Sequence, residues 1–285
     1  MTQPLEPPVD TSNPYPRFPC VLLLDTSSSM KGKRIEHLAQ GYREFISFLQ
    51  NDRYAKYYVE IAVIEFGASV TVTTPFTPIE ELGPRDFRAD GLTPLAEAIE
   101  TGIDLLLSRE KQYRTNYIRS KTPWLVIMSD GNPTDSPTDV TRALSKLHKL
   151  EEQRKLSVFP LGIGAQANIY LLNALSSERS AIRIDESELR NFLQWLSVAL
   201  TEVSRTITLS PGQNTVQITP IEKTVAILEY GNRPNSSPHA ETVYLGDVPH
   251  TEPYADIEVA ETTVYPTQNE SQWNVINLTP PEAPH

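Results

Sequence analysis

The chain has 285 residues, of which 39% are hydrophobic, and its formal net charge is -11. This length supplies a core for one large domain with residues to spare. The negative charge argues against nucleic acid as a partner, because that affinity rests on lysine and arginine side chains that neutralise phosphates. A single cysteine, Cys20, excludes a disulfide framework or a cysteine-ligated zinc site within one chain.

The two ends of the sequence differ in composition from its middle. Residues 1–17 form a proline-rich tail without the apolar stretch of a signal peptide, and no apolar run of about 20 residues could span a membrane. With the lone cysteine, this predicts a cytoplasmic protein that has no membrane partner. Residues 205–285 form an acidic, proline-interrupted extension, which we expect to be partly disordered or a small β-rich appendage.

Strand-like runs alternate with helical patterns between residues 18 and 204, as in crossover units on a mainly parallel sheet. The continuous apolar run Val21–Leu24 predicts a central strand, because such a strand has helices on both faces. Apolar residues at three- and four-residue spacing predict a helix over 35–49. The segments 59–66 and 69–73 then predict a hairpin nearer the sheet edge.

The second half of this region repeats the pattern. Helical spacing over 95–106 and 140–147 is followed in each case by a continuous apolar run, Leu125–Met128 and Val158–Ile163. A shorter helix is expected at 169–175. The last helix, over 189–203, begins with a capping box in which Asp185 and Glu188 take part. The order predicts an α/β fold with a doubly wound, mainly parallel sheet flanked by helices.

Oxygen-bearing side chains stand where elements of this predicted sheet begin or end. Asp25, Ser27 and Ser29 directly follow the first strand, Thr93 precedes the helix at 95–106, and Asp130 ends a later central strand. Open α/β sheets bind ligands at the carboxyl edge of their strands. Mg²⁺ prefers oxygen ligands, so we predict a site for Mg²⁺ or Mn²⁺ here.

The charges of these residues suggest how such a site would be used. Two carboxylates, Asp25 and Asp130, balance a divalent ion, whose presence relieves their mutual repulsion. An open coordination position can then accept a carboxylate from a protein partner. Taken alone, the segment from Asp25 to Ser29 is also typical of an Asx turn. Asp135 and Asp139 fit capping of the helix near Pro137 better than a second layer of acids around the ion.

The set Asp25-x-Ser27-x-Ser29, Thr93 and Asp130-Gly131 resembles the metal-ion-dependent adhesion site of von Willebrand factor type A domains. The resemblance covers residues 18–204 and implies a Rossmann-like fold whose role is protein binding. It also implies that Ser27, Ser29 and Thr93 contact the ion directly or through water, and that the two aspartates act mostly through water.

The strings Leu-Leu-Leu-Asp-Thr-Ser-Ser-Ser-Met at 22–30 and Ser-Asp-Gly-Asn-Pro-Thr-Asp at 129–135 are similar to the bacterial branch associated with tellurium resistance. One departure is Ser28, where that branch often has glycine. The branch implies a stress-response setting in which the partner is a serine/threonine protein kinase or phosphatase.

Two other functions compete with metal-dependent protein binding. In a Mg²⁺-dependent phosphatase or phosphotransfer enzyme, Asp25 would attack phosphorus, and Lys31 and Lys33 could hold the phosphoryl group. Such enzymes usually carry a second carboxylate where this sequence has Ser27. Alternatively, the acidic extension could act as an intramolecular ligand for the metal, because a tethered carboxylate has a high effective concentration.

Overall fold

The computed structural model describes residues 7–209 of the chain. Six strands form one sheet in this range: β1 Phe18–Asp25, β2 Val59–Phe66, β3 Val70–Pro78, β4 Trp124–Ser129, β5 Ser157–Ile163 and β6 Ile182–Ile184. Six α-helices accompany them: α1 Lys33–Asn51, α2 Ala55–Tyr58, α3 Leu95–Thr115, α4 Pro137–Glu152, α5 Ile169–Ala174 and α6 Leu189–Leu209. Single 3-10 turns span Ser28–Met30, Ile79–Glu81 and Glu186–Glu188.

The strand order β3-β2-β1-β4-β5-β6 confirms the predicted doubly wound α/β fold. β1 pairs in parallel with β2 and β4, β5 pairs in parallel with β4 and β6, and only β3 among the described strands runs antiparallel. The chain turns from one half of the sheet to the other between β1 and β4. The carboxyl ends of these two strands therefore flank the switch point, where ligands of such sheets bind.

Both faces of the central strand β1 are buried, as its continuous apolar run predicted. Val21 and Leu23 lie in a core cluster with Ala98 and Ile103 of α3. Alternation along the strand directs the neighbouring residues, including the fully buried Leu22, to the opposite face. The burial of both faces explains why this strand shows no polar alternation.

Most of the predicted elements are confirmed, and the differences have local causes. The predicted hairpin exists, but β3 continues to Pro78 with irregular pairing along β2. The four-residue helix α2 and the three-residue strand β6 were not predicted, because such short elements contain too few residues to show a period. The capping box of Asp185 and Glu188 is confirmed, and it begins the 3-10 turn directly before α6.

Residues 7–17 pack against the domain instead of extending away from it. Arg17 is 1% exposed, and its Nε donates to Oε1 of Glu60 on β2 at 3.2 Å. Nη1 of Arg109 on α3 donates to the carbonyl oxygen of Pro7 at 2.8 Å. The domain boundary at residue 18 stays a prediction. From residue 210 onward, the predicted extension lies outside the described residues.

Candidate metal site

The first loop of the candidate site follows β1 and begins with a fully buried carboxylate. Oδ1 of Asp25 accepts the backbone N–H of Ser27 at 2.9 Å, which closes the Asx turn weighed in the sequence. The hydroxyl oxygens of Ser27 and Ser29 lie 2.9 Å apart. The Asx turn is therefore present, and the two serine hydroxyls lie together at the end of β1.

The second loop follows β4 and is joined directly to the first. The hydroxyl of Ser129 donates to Oδ2 of Asp25 at 2.6 Å and accepts the N–H of Gly131 at 3.0 Å. Asp130, 7% exposed, accepts the N–H of Asn132 through Oδ1 at 3.2 Å. Ser129 was not among the predicted site residues. Its signal was a hydroxyl at the end of a central strand, beside the predicted ligand Asp130.

The third loop precedes α3 and contacts the other two. The backbone N–H of Thr93 donates to Oγ1 of Thr134 at 3.2 Å, and its carbonyl oxygen accepts the N–H of Thr134 at 2.9 Å. The carbonyl oxygen of Gly91 accepts the N–H of Ser28 at 3.1 Å. The Thr93 loop is thus hydrogen-bonded to the loop of each aspartate.

All of the predicted ligands lie on these three loops, at the carboxyl edge of the sheet: Asp25, Ser27, Ser29, Thr93 and Asp130. Ser29 is exposed, whereas the other members of the set are buried. The structure brings the loops together. Ligation of an ion by these side chains stays a prediction.

The electrostatics of the two aspartates suit a bound cation. Burial raises the pKa of Asp25; hydrogen bonds from Ser129 and Ser27 oppose this rise, and the negative charge of Asp130 adds to it. A divalent cation between two such carboxylates would remove the repulsion and favour their charged forms.

The donor set also fits a hard divalent ion, because it consists of carboxylate and hydroxyl oxygens. Between residues 7 and 209, no three His, Cys, Asp or Glu side chains are grouped so that they could hold a metal. The remaining oxygens of the predicted set are the hydroxyls of Ser27, Ser29 and Thr93.

One acidic residue near the site has a different role from the one expected. Asp135 was expected to cap α4, but its carboxylate accepts the N–H groups of Ala96 at 3.1 Å and Glu97 at 3.4 Å. It therefore caps α3, because the loop after β4 runs past the start of that helix. Ser136 caps α4 instead, by accepting the N–H of Asp139.

Glu65, on β2 near this edge of the sheet, is partly buried. Its side chain is 18% exposed and lies 3.4 Å from Nη2 of Arg85. Lys31 and Lys33, which could have held a phosphoryl group, are exposed next to the first loop.

Comparisons with known proteins agree with this architecture. Residues 20–195 match the family model of the von Willebrand factor type A domain. Inter-alpha-trypsin inhibitor heavy chain H6 from Homo sapiens is 26% identical over 165 residues, which cover 57% of this chain and 12% of that protein.

Two of the solved structures that match this chain have lower sequence identity. The pilus adhesin SpaC from Lactobacillus rhamnosus GG, in its open conformation, has a TM-score of 0.53 at 15% identity, covering 66% of this chain and 30% of SpaC. The manganese-loaded TRAP protein of Plasmodium vivax has a TM-score of 0.46 at 19% identity, covering 66% of this chain and 73% of TRAP. The likeness to SpaC concerns the fold alone.

In the described part of the chain, no helix combines the length and the apolar character needed to cross a bilayer. The family model spans more than half of the chain, and it includes the ends of β1 and β4 and the Thr93 loop. The chain therefore belongs to the von Willebrand factor type A domain family, which often mediates metal-dependent protein interactions.

Proposed function

We propose that this domain is a metal-dependent protein-binding module. Its site holds Mg²⁺ or Mn²⁺ through Asp25, Ser27, Ser29, Thr93 and Asp130, and a partner protein supplies a carboxylate that completes the coordination. The observation that carries the proposal is the direct bonding of the ligand loops: Ser129 to Asp25 at 2.6 Å, and Thr93 to Thr134 at 2.9 Å.

The residues of this chain have different roles in such a site. Asp25 has both oxygens oriented by hydrogen bonds from Ser27 and Ser129, so its negative charge is fixed in place. The serine and threonine hydroxyls add neutral oxygen donors. The bound ion supplies an electrophilic centre at which a carboxylate can replace water. A partner with an exposed Asp or Glu side chain is thereby favoured over a neutral one.

The proposal extends to the biological setting suggested by the sequence. The strings at 22–30 and 129–135 support a place in the bacterial tellurium-resistance branch and in a cytoplasmic stress-response assembly. In such an assembly the partner would be a serine/threonine kinase or phosphatase. The proposed setting rests on the likeness of these sequence motifs, and it does not depend on whether the site binds metal.

The geometry is less favourable to the alternative, a phosphatase that uses Asp25 as its nucleophile. Asp25 is fully buried, and both of its oxygens already accept hydrogen bonds. A carboxylate that attacks phosphorus must be reached by the substrate, and such enzymes usually carry a second carboxylate where this chain has Ser27. Mg²⁺-dependent hydrolysis of p-nitrophenyl phosphate that disappears in Asp25→Asn would overturn the binding-module proposal.

Two adjacent exposed serines provide a matched test of the metal site. Ser29 belongs to the proposed ligand set and Ser28 does not, although both lie in the same 3-10 turn. Titration of the full chain with Mn²⁺ and with Mg²⁺ by calorimetry should show weaker binding for Ser29→Ala and unchanged binding for Ser28→Ala. Equal affinities for wild type, Ser29→Ala and Asp130→Asn would refute the site.

Partner binding is tested separately from metal binding. Wild type and Asp25→Ala are immobilised and exposed to extracts, each with Mg²⁺ or with chelator, and captured proteins are identified by mass spectrometry. A partner of the proposed kind is retained only by wild type and only with Mg²⁺. If the same proteins are captured with chelator and by Asp25→Ala, metal-dependent recruitment is excluded.

A further inference from the structure

Arg34, in the first turn of α1, joins two loops at the carboxyl edge of the sheet. Its Nη1 donates to the carbonyl oxygen of Ser29 at 3.2 Å. Its Nε donates to Oε2 of Glu186 at 3.0 Å, across a separation of 152 residues. Ser29 belongs to the proposed ligand set, whereas Glu186 lies in the 3-10 turn before α6. One side chain thus connects the first loop of the metal site to an element from the other end of the domain.

The space for this side chain is provided by a glycine. Gly164, next to the end of β5, has a φ of 88°, and a Cβ atom placed there would lie 2.9 Å from Nη2 of Arg34. A residue with a side chain would meet both the steric cost of this backbone conformation and the guanidinium group. Arg34 is accordingly packed, with 24% of its side chain exposed.

Ser29 is the predicted ligand with the weakest support from its surroundings. It is exposed, whereas the other members of the set are buried. The turn that contains it leads to Gly32, which has a φ of 83° and no atom within 4 Å of the position of a Cβ. Glycine has no side chain, so its backbone adopts more conformations than that of other residues. At Gly32 no side-chain packing holds the turn.

The other end of the connection is itself fixed. Nδ1 of His37, also on α1, donates to the carbonyl oxygen of Glu186 at 2.9 Å. The capping box of Asp185 and Glu188 orders the backbone around Glu186. Arg34 therefore links the turn that contains Ser29 to a segment whose backbone is held by His37 and by the capping box.

We propose that Arg34 is a positioning residue of the metal site, which orients Ser29 and does not contact the ion. This inference rests on the proposed function, because it assumes that Ser29 is a ligand. The hydrogen bond and the positive charge of Arg34 should have opposite effects on metal affinity. A positive guanidinium near a cation weakens metal binding, so loss of its charge alone would strengthen binding. Loss of the hydrogen bond to Ser29 would weaken it.

The test measures Mn²⁺ affinity of the full chain by calorimetry, together with the thermal midpoint of the metal-free protein. Arg34→Gln should bind Mn²⁺ about 10-fold more weakly, a typical effect of removing a residue that orients a ligand. Arg34→Lys should also bind more weakly, since it keeps the charge but not the planar two-point contact. Metal-free midpoints should stay close to that of wild type, which a general loss of structure would not allow.

Two further variants isolate the connection. Glu186→Gln should lower the affinity, and adding it to Arg34→Gln should produce no further loss if Glu186 acts only through Arg34. The matched control is Arg43→Gln, also on α1, which breaks an exposed pair with Asp86 at 2.8 Å and should leave Mn²⁺ affinity unchanged.

The outcomes separate this inference from the proposed function. Wild-type or tighter Mn²⁺ binding by Arg34→Gln, with weakened binding by Ser29→Ala, would overturn the positioning role and leave the metal site intact. Absence of Mn²⁺ binding by wild type would overturn both. If Arg34→Gln does not fold, Arg34→Lys decides: unchanged affinity in that variant contradicts the positioning role.

Discussion

At the scale of single residues, Ser129 determines how the two aspartate loops meet. It is fully buried, and its one hydroxyl donates to Asp25 and accepts from the backbone of Gly131. It thereby orders the start of the loop that contains Asp130. A residue outside the proposed ligand set thus links the loops of two residues within it.

The first prediction concerns Ser129→Ala. This change leaves Oδ2 of Asp25 and the N–H of Gly131 without their partner, which should lower the free energy of unfolding by about 1–3 kcal/mol. It should also weaken Mn²⁺ binding, because the Asp25 carboxylate loses its orientation. Urea unfolding in chelator and a Mn²⁺ titration measure the two effects.

Ser145→Ala serves as the control for this change. Its hydroxyl donates to the carbonyl oxygen of Thr141 on the exposed face of α4. We expect a change in unfolding free energy within about 0.5 kcal/mol and no change in metal affinity. If both serine variants behave alike, the assigned role of Ser129 is wrong.

At the scale of elements, a buried ionic cluster connects the N-terminal segment, β2 and α3. Oε2 of Glu60 accepts from Nε of Arg109 at 2.7 Å and from the hydroxyl of Tyr113 at 2.6 Å, while Oε1 accepts from Arg17. Burial and the neighbouring carboxylate raise the pKa of Tyr113 well above its usual value, so its hydroxyl stays a donor. Glu60, whose carboxylate contacts the other three side chains, lies on β2.

One carboxylate in this cluster serves two buried arginines, so the second positive charge needs other acceptors. Backbone carbonyl oxygens of the segment 7–17 provide them: those of Asp10 and Asn13 accept from Arg17, and that of Pro7 accepts from Arg109. This segment is therefore part of the buried polar network of the domain. An uncompensated buried charge would otherwise be costly.

The second prediction follows from this cluster. Glu60→Gln removes the carboxylate that the two buried arginines share, and should lower the free energy of unfolding by about 3–5 kcal/mol. Glu65→Gln is the control on the same strand, since it removes only a partly exposed pair with Arg85. For that control we expect a loss of at most about 1 kcal/mol by urea unfolding. Equal losses for the two variants would contradict the importance of the buried cluster.

At the scale of the whole molecule, the proposed ion would bind groups that come together only after folding. Asp25 and Ser129 are 104 residues apart in the sequence and meet because β1 and β4 are parallel neighbours. An ion bound by loops that are separated in the unfolded chain prefers the folded state. Metal binding and stability are therefore coupled.

The third prediction is a metal-dependent stability of the domain. At a free Mg²⁺ or Mn²⁺ concentration of about 100 times the dissociation constant, the free energy of unfolding should rise by about 2.7 kcal/mol. Thermal melting with metal and with chelator measures this. Asp130→Asn should melt at the same temperature in both conditions, whereas Asp104→Asn, an exposed residue paired with Lys146, should keep the wild-type shift. An unchanged wild-type midpoint would contradict the metal site.

The sequence alone was sufficient for the fold class and for the location of the candidate site. The helices followed from periodic apolar residues, and the central strands from continuous apolar runs, because both patterns reflect which face of an element is buried. Asp25 and Asp130 could be placed at one edge because Asp25 ends one such run and Asp130 follows the end of another. These inferences need only local patterns and the general geometry of parallel sheets.

Only the tertiary structure decided which side chains support the site and the core. Asp135 caps α3 instead of α4, Ser129 bonds Asp25, and Glu60 is buried with two arginines. Each outcome depends on strand register and on how loops cross, which local sequence patterns do not encode. Polar residues in such positions resemble exposed ones in the sequence, since their burial depends on partners that lie far away along the chain.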